Sequence, residues 1–86
     1  MRYFVYILEC VDNTLYCGST NDIEKRVKEH NSSKNGAKYT RGRRPVDLGY
    51  FEVCKNYGDA RKREAEIKRM KRKQKDNLIK IFRSSK

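Results

Sequence analysis

The chain has 86 residues and carries 22 Lys and Arg against 11 acidic residues, which gives a net charge of +11. A chain of this length builds one small core, so we expect a single domain over residues 1–86. The charge favours a polyanionic partner, and the lack of a long apolar run or a signal-like segment argues against a membrane. We therefore expect a cytoplasmic protein whose partner is nucleic acid.

The cysteines show neither a metal-binding nor a disulfide pattern. Cys10, Cys17 and Cys54 are odd in number and form no Cys-x-x-Cys pair, and His30 is the single histidine. Structural zinc sites and disulfide frameworks usually show paired, closely spaced ligands. We expect reduced thiols and no structural zinc.

Two β-rich runs open the chain. Residues 2–10 and 15–19 are rich in Tyr, Val and Ile and are separated by Asp12-Asn13, a pattern that predicts a hairpin. Both faces of the first run are apolar, which is typical of a central strand covered on two sides. The sequence therefore predicts a sheet with helices on both faces.

The hairpin loop decides whether Tyr6 and Tyr16 share a face of the sheet. A three-residue loop, 12–14, pairs Val11 with Leu15 and puts the two tyrosines on one face, four residues or ~13 Å apart along the ladder. A two-residue loop, 12–13, puts them on opposite faces. A site that uses both tyrosines requires the three-residue loop.

Three helices are predicted downstream. Asn21 indicates an N-cap for a helix over residues 22–30, and Asp59 indicates one for a helix that extends to about residue 70. The remaining predictions are a loop over 31–46, a third strand over 48–53, and a last helix over 75–82 with Leu78, Ile81 and Phe82 facing inward. The order β-β-α-β-α-α predicts an α+β fold, a three-stranded antiparallel sheet flanked by helices.

Two of these helices place polar side chains on or beside a core-facing stripe. Arg26 and His30 are four residues apart at the edge of the first stripe, and Glu64 shares the second with Ala60 and Ile67. A buried carboxylate is costly unless it is paired or binds a cation. Glu64 is therefore a candidate metal ligand.

Each of these residues also has a structural interpretation. The alternatives are core packing for Tyr6 and Tyr16, a helix C-terminal cap for His30, an ion pair with Asp22 or Glu29 for Arg26, and an ion pair with Lys68 for Glu64. The predicted loop is basic and includes one aromatic side chain, a combination that can follow a phosphate backbone. Its candidate nucleic-acid-binding residues are Lys38, Tyr39, Arg41, Arg43 and Arg44.

Taken in order, these residues resemble the GIY-YIG nuclease domain. The matching positions are Phe4-Val5-Tyr6, Tyr16-Cys17-Gly18, Arg26, His30 and Glu64. Phe4 replaces the glycine of the first signature, and Cys17 replaces the isoleucine of the second. The match spans most of the chain, from residue 1 to about 78, and segment 36–46 is similar to a subfamily of small single-domain bacterial proteins.

The resemblance implies metal-assisted hydrolysis of phosphodiester bonds. Glu64 would hold Mg²⁺ or Mn²⁺, and Tyr6 or Tyr16 would deprotonate or position the attacking water. Arg26 would bind the phosphate, and His30 would donate, accept or shuttle a proton. A phenol has an ordinary pKa near ~10, so nearby cations would have to lower that pKa.

We expect a metal-dependent nuclease of low sequence specificity that acts on DNA rather than RNA. Branched, nicked and single-stranded DNA are the candidate substrates. One alternative is a nucleic-acid-binding module that keeps the fold and cleaves little or nothing. The other is a basic domain that binds an acidic protein.

Overall fold

The computed structural model describes residues 2–32 and 37–85. Its elements are β1 (Tyr3–Cys10), β2 (Leu15–Thr20), α1 (Ile23–Ser32), α2 (Lys38–Arg41), β3 (Val46–Cys54), α3 (Tyr57–Lys68) and α4 (Arg72–Ser84). The strands form an antiparallel sheet in the order β2-β1-β3. The predicted α+β fold with a three-stranded antiparallel sheet is confirmed.

Strand β1 lies at the centre of the sheet because both of its faces are apolar. Val5 and Ile7 pack on one face with side chains from α3 and α4, and Tyr6 and Leu8 pack on the other. All four are essentially inaccessible to solvent, and such burial is worth roughly 1.5–3 kcal/mol for each aliphatic side chain. The sheet therefore separates two small cores.

Helices α1 and α3 begin at other residues than predicted. Asp22 caps α1 through Oδ1, which accepts the backbone N–H of Lys25 at 3.2 Å, one residue later than the predicted Asn21 cap. Asn56 caps α3 through Oδ1, which accepts the backbone N–H of Asp59 at 2.8 Å, three residues earlier than predicted. In both helices the Asp or Asn directly before the first helical residue accepts the N–H of the third helical residue, which is the usual geometry of an N-cap.

Helix α4 begins at Arg72, three residues before the predicted start, because the exposed basic run forms its first turn. An ion pair of 2.9 Å between Arg72 and Asp76 supports that turn. Ile79 is buried in α4, whereas Ile81 is 59% exposed and was wrongly predicted to face inward. Two residues turn a helix by about 200°, so these two side chains lie on opposite sides. Among the described residues, no helix has the length and apolar character needed to cross a membrane.

The predicted loop over 31–46 contains a short helix. Helix α2 spans four residues, and the N–H of Thr40 donates to the carbonyl of Ala37 at 3.0 Å. Thr40 is fully buried and anchors this turn beside α1. Residues 33–36, which belong to the same predicted loop, lie outside the described part of the chain.

The hairpin has a three-residue loop, as a site that uses both tyrosines requires, but it spans residues 11–13 instead of 12–14. Cys10 and Thr14 flank it, with the Cys10 N–H bonded to the Thr14 carbonyl at 2.9 Å, and Asn13 adopts a φ of 67° that Asn tolerates. The strand register pairs Tyr6 with Gly18 and Leu8 with Tyr16. The two tyrosines share a face, as in the three-residue alternative, but they are two residues apart along the ladder instead of four.

Candidate active site

The centre of the candidate site is a buried pair from β1 and α1. The hydroxyl of Tyr6 lies 3.0 Å from Nε2 of His30, and both side chains are at least 99% buried. A helix C-terminal cap is excluded as the role of the His30 side chain, because its ring points into the core and α1 continues to Ser32. The pair therefore joins the sheet to the helix through a hydrogen bond shielded from water.

Aromatic rings extend from this pair to the surface. The ring of Tyr16 lies 6.4 Å from that of Tyr6 and 5.1 Å from that of His30, measured between centroids. Tyr39 follows at 5.8 Å from Tyr16 and is 39% exposed, and the guanidinium of Arg43 lies 4.1 Å above it. The series leads from a buried hydroxyl to a cationic, solvent-facing edge.

Gly18 makes room for the Tyr6 hydroxyl. It stands opposite Tyr6 in the β1–β2 ladder, and a Cβ at this position would lie 2.6 Å from the phenolic oxygen. Real side chains do not approach that closely, so any other residue would displace the phenol. The glycine of the second signature is thus required by the position of the tyrosine in the first.

Arg26 lies at the rim of the pair. Its guanidinium forms an ion pair of 3.0 Å with Glu29, one of the two structural partners predicted for it, and it also acts on Tyr6, whose pKa it lowers. The side chain is partly buried, which strengthens its interaction with nearby charge. Arg26 therefore interacts with both an acidic residue and the phenol.

Burial raises the pKa of Tyr6 to about 12, because the phenolate would lose its hydration. The hydrogen bond from Arg26 and its positive charge act in the opposite direction, and Tyr16 and Glu64 add to the increase. The lower phenol pKa that the mechanism would require is not reached at Tyr6 in the protein by itself, because burial outweighs Arg26. Tyr6 is a neutral phenol at pH 7.

His30 is neutral at the same pH. Burial lowers its pKa to about 4, and the positive charges of Arg26 and Arg44 act in the same direction, while Glu29 opposes them. Its Nδ1 lies 2.9 Å from the hydroxyl of Thr40, so both ring nitrogens have partners. The site therefore holds a neutral phenol against a neutral imidazole.

Thr40 is a component of the site that the sequence did not reveal. It is fully buried, contacts His30 through its hydroxyl, and donates that hydroxyl to the carbonyl of Ala37 at 2.9 Å. Ten positions separate Thr40 from His30, and a threonine within a basic loop carries no signal for burial. Only the packing of α2 on α1 brings the two together.

Glu64 lies on the opposite side of the edge strand β2. It is 8% exposed, and its Oε1 accepts the hydroxyl of Ser19 at 2.8 Å while its Oε2 pairs with Lys68 at 2.7 Å. Burial alone would raise the pKa of Glu64, but Lys68 and Ser19 outweigh it and lower that pKa. The ion pair is the structural alternative predicted for this glutamate.

The described contacts therefore bring together four of the five residues that the sequence predicts to take part in catalysis or metal binding. Tyr6, Tyr16, Arg26 and His30 meet on one face, while Glu64 reaches the same edge from the other face. Glu64 is close enough for its charge to raise the pKa of Tyr6. The site thus spans the edge strand β2.

The donor set at Glu64 suits a hard divalent cation bound by few protein ligands. Within residues 2–32 and 37–85, no three side chains of His, Cys, Asp or Glu converge on one point. Mg²⁺ is often bound by one or two carboxylates with water and substrate phosphate as the other ligands. Glu64 fits that role once the ammonium of Lys68 leaves Oε2.

The basic loop is only partly directed to solvent. Lys38 and Arg41 are exposed, and Arg43 combines its contact on Tyr39 with an ion pair of 3.0 Å to Asp12. Arg44 donates to the carbonyl oxygens of Glu29 and His30 near the end of α1. Arg44 thus has a structural role here, and nucleic-acid binding by all five loop residues stays a prediction.

Comparisons with known proteins place these residues in a family. The sequence model of the GIY-YIG catalytic domain matches residues 2–77. The chain is 57% identical to a UPF0213 protein of Syntrophus aciditrophicus over 92% of this chain and 91% of that one. It is 55% identical to a UPF0213 protein of Clostridium perfringens over 88% of this chain and 81% of that one.

Two solution NMR structures are similar throughout. A protein from E. faecalis has 40% identity and a TM-score of 0.64, and the match covers 96% of this chain and 88% of that one. The UPF0213 protein of Bacillus halodurans has 41% identity and a TM-score of 0.59, with 94% and 85% covered. The resemblance inferred from the signature residues is confirmed, and the chain belongs to the GIY-YIG catalytic domain family.

Proposed function

We propose that this protein is a metal-dependent nuclease that hydrolyses DNA phosphodiester bonds with low sequence specificity. Membership of a nuclease-domain family implies a nucleic-acid substrate. The observation that carries the proposal further is the buried hydrogen bond between Tyr6 and His30, with the charge of Arg26 acting on the same phenol. This arrangement offers a path for the proton of an attacking water.

The proton path follows from the pKa values of the two groups. With the pKa of Tyr6 at about 12 and that of His30 at about 4, a free phenolate is scarcely populated at pH 7. The phenol acts instead as a relay: its oxygen takes the proton of water as its own hydrogen passes to Nε2 of His30. The negative charge of a bound phosphate raises the pKa of the imidazole and so favours this transfer.

The phosphate is bound by cations at the rim. Arg26 presents a planar fork of donors, which fits two oxygens of a phosphate, and Glu29 holds that fork in place. Tyr16 packs against both rings of the relay and fixes their orientation. A substrate phosphate would thus bind Arg26 at the rim before the reacting water reaches the hydroxyl of Tyr6.

Glu64 is the proposed ligand of Mg²⁺ or Mn²⁺. When bound, such an ion neutralises the charge that develops on the phosphate and the leaving oxygen. Glu64 itself contributes an ionised carboxylate at the edge of the sheet. Its lowered pKa keeps that carboxylate charged at neutral pH. Ser19 orients one of the carboxylate oxygens.

The substrate is proposed to be DNA with an exposed or distorted backbone, such as a branch, a nick or a single strand. Contacts to phosphate carry no sequence information, and the net charge of +11 suits such contacts. The exposed cations Lys38 and Arg41 and the aromatic edge at Tyr39 supply charge and a stacking surface beside the relay.

A second candidate is a binding module without cleavage. The ion pair of Lys68 with Glu64 and the raised pKa of Tyr6 favour it, because both features oppose catalysis in the free protein. The basic surface suits this function equally well. The two candidates differ in one observable, the formation of new DNA ends.

Nicking of supercoiled DNA tests the proposal. The purified protein should convert plasmid to nicked circles with Mg²⁺ or Mn²⁺ and lose this activity with a chelator. Glu64→Gln should abolish nicking, whereas Glu66→Gln, an exposed neighbour on α3, should retain it. Equal activity in wild type and Glu64→Gln would point to a contaminating nuclease and overturn the proposal.

A further inference from the structure

The hydrogen on His30 has two possible positions. A neutral imidazole carries one hydrogen, on Nδ1 or on Nε2, and its other nitrogen is an acceptor. Nε2 lies 3.0 Å from the hydroxyl of Tyr6, and Nδ1 lies 2.9 Å from the hydroxyl of Thr40. Each hydroxyl can donate or accept, so these two distances alone leave both tautomers open.

The contacts of Tyr6 favour an acceptor at Nε2. The guanidinium of Arg26 acts on the same phenol, and a guanidinium can only donate, so it offers no acceptor for the phenolic hydrogen. The phenolic hydrogen then needs an acceptor, and Nε2 of His30 stands at 3.0 Å. If Nε2 carried the hydrogen, the N–H of His30 and the O–H of Tyr6 would point at each other. Two buried donors without an acceptor between them are costly.

The contacts of Thr40 favour a donor at Nδ1. Its hydroxyl lies 2.9 Å from the carbonyl oxygen of Ala37, which can only accept. Thr40 therefore gives its single hydrogen to Ala37 and turns its lone pairs toward Nδ1 of His30. One contact opposes this arrangement, because the Ala37 N–H points at Nδ1, but at 3.4 Å it is the longest bond of the set.

We infer that Thr40 is a positioning residue, which holds the hydrogen of His30 on Nδ1 so that Nε2 accepts the phenolic hydrogen of Tyr6. The hydrogen bonds then run in one direction, from Tyr6 through His30 and Thr40 to the carbonyl of Ala37. Thr40 and His30 are fully buried, so bulk water does not compete for these bonds. The catalytic meaning rests on the proposed function, whereas the tautomer does not.

Nitrogen-15 NMR of the labelled protein at pH 7 measures the tautomer. Protonated and bare ring nitrogens have widely separated shifts, and His30 is the only histidine in the sequence. We expect a protonated Nδ1 and a bare Nε2 in the wild type and in Thr40→Ser. In Thr40→Val the Ala37 N–H is left facing Nδ1, and we expect the hydrogen to move to Nε2.

Two spectra would overturn the inference. One is a wild-type spectrum with the hydrogen on Nε2, which needs no variant. The other is an unchanged tautomer in folded Thr40→Val, or in the smaller Thr40→Ala where the valine variant does not fold. Either result would leave Thr40 as a packing residue only.

Cleavage kinetics separate this inference from the proposed function. If the protein is a nuclease, Thr40→Val should lower kcat at least about tenfold with little change in KM, and Thr40→Ser should restore it, because a histidine in the wrong tautomer is a poor proton acceptor. Normal kcat in Thr40→Val contradicts the positioning role. A wild-type protein with the hydrogen on Nδ1 and no cleavage contradicts the proposed function alone.

Discussion

The phenolic oxygen of Tyr6 occupies the space that a side chain on Gly18 would need. A Cβ on Gly18 would lie 2.6 Å from that oxygen and 3.1 Å from the ring of Tyr16. The two signature segments are therefore fitted to each other across the ladder between β1 and β2. A substitution at Gly18 therefore displaces the side chain of Tyr6, although the tyrosine itself is unchanged.

Gly18→Ala should displace the Tyr6 hydroxyl from His30. We expect a loss of stability of about 1–3 kcal/mol from overpacking and a loss of most cleavage activity. Urea unfolding and plasmid nicking measure the two effects. Gly42→Ala is the matched control, because a Cβ there meets no atom within 4 Å, and it should leave both unchanged. Equal effects of the two substitutions would refute the fitted arrangement.

The folded protein should lose stability as the pH falls from 6.5 toward 4. The pKa of His30 is lowered from its ordinary 6.5 to about 4, so within this window the unfolded chain binds a proton that the folded protein does not. Stability from this source is present above pH 6.5 and decreases below it, by about 3 kcal/mol at most. Arg26, Glu29 and Arg44 are the charged groups that act on this ring.

Urea unfolding at several pH values checks this dependence, with His30→Gln as the comparison. The variant should lack the slope between pH 6.5 and 4.5. Glu64 has a lowered pKa and titrates below this range, so its acid sensitivity should appear in both proteins at lower pH. The same slope in both proteins between pH 6.5 and 4.5 would show that His30 is not its source.

Removal of the Lys68 ammonium should strengthen binding of a divalent cation at Glu64. The two charges are 2.7 Å apart, but Lys68 is half-exposed, so the pair is worth no more than about 1 kcal/mol and the expected gain is about threefold to fivefold. Titration of Lys68→Gln and of the wild type with Mn²⁺ measures this gain in affinity. Lys62→Gln, an exposed neighbour on α3, should bind like the wild type, and Glu64→Gln should lose the site. Unchanged affinity in Lys68→Gln would place the metal elsewhere.

The exposed cations of α2 should contribute to DNA affinity in a salt-dependent way. Contacts to about six phosphates give a log–log slope of affinity against salt near −5, and the loss of one contact reduces the magnitude by about 1. Arg41→Gln should show that reduction in fluorescence anisotropy titrations. Lys80→Gln on α4 is the control with the wild-type slope. A slope that Arg41→Gln does not change would exclude this residue from the DNA contact.

The sequence left open whether Tyr6 and Tyr16 share a face, because side-chain alternation answers that only once the loop length is known. It did not predict their separation, because the position of the three-residue loop depends on more than local preference. The Val11 N–H donates to the carbonyl of Arg43 at 3.0 Å, a contact between segments far apart in the chain. Such long-range bonds favour the loop over residues 11–13, which local preferences do not distinguish from a loop over residues 12–14.

The sequence also showed which ionisable groups to examine but not the direction of their pKa shifts. The sequence indicated that nearby cations would have to lower the pKa of a catalytic phenol, and Arg26 does act on Tyr6 in that direction. The degree of burial was not visible, and it outweighs that cation. Thr40 was missed for a related reason, since its burial depends on how α2 packs against α1.

The most direct test of the account is single-turnover cleavage of a nicked or branched DNA by the wild type, Tyr6→Phe and Tyr3→Phe. Tyr3 lies on the other face of β1 and controls for loss of a phenol elsewhere in the fold. We expect Tyr6→Phe to be at least about 10²-fold slower, because the relay loses its hydroxyl, and Tyr3→Phe to match the wild type. Equal rates in folded wild type and Tyr6→Phe would contradict the account.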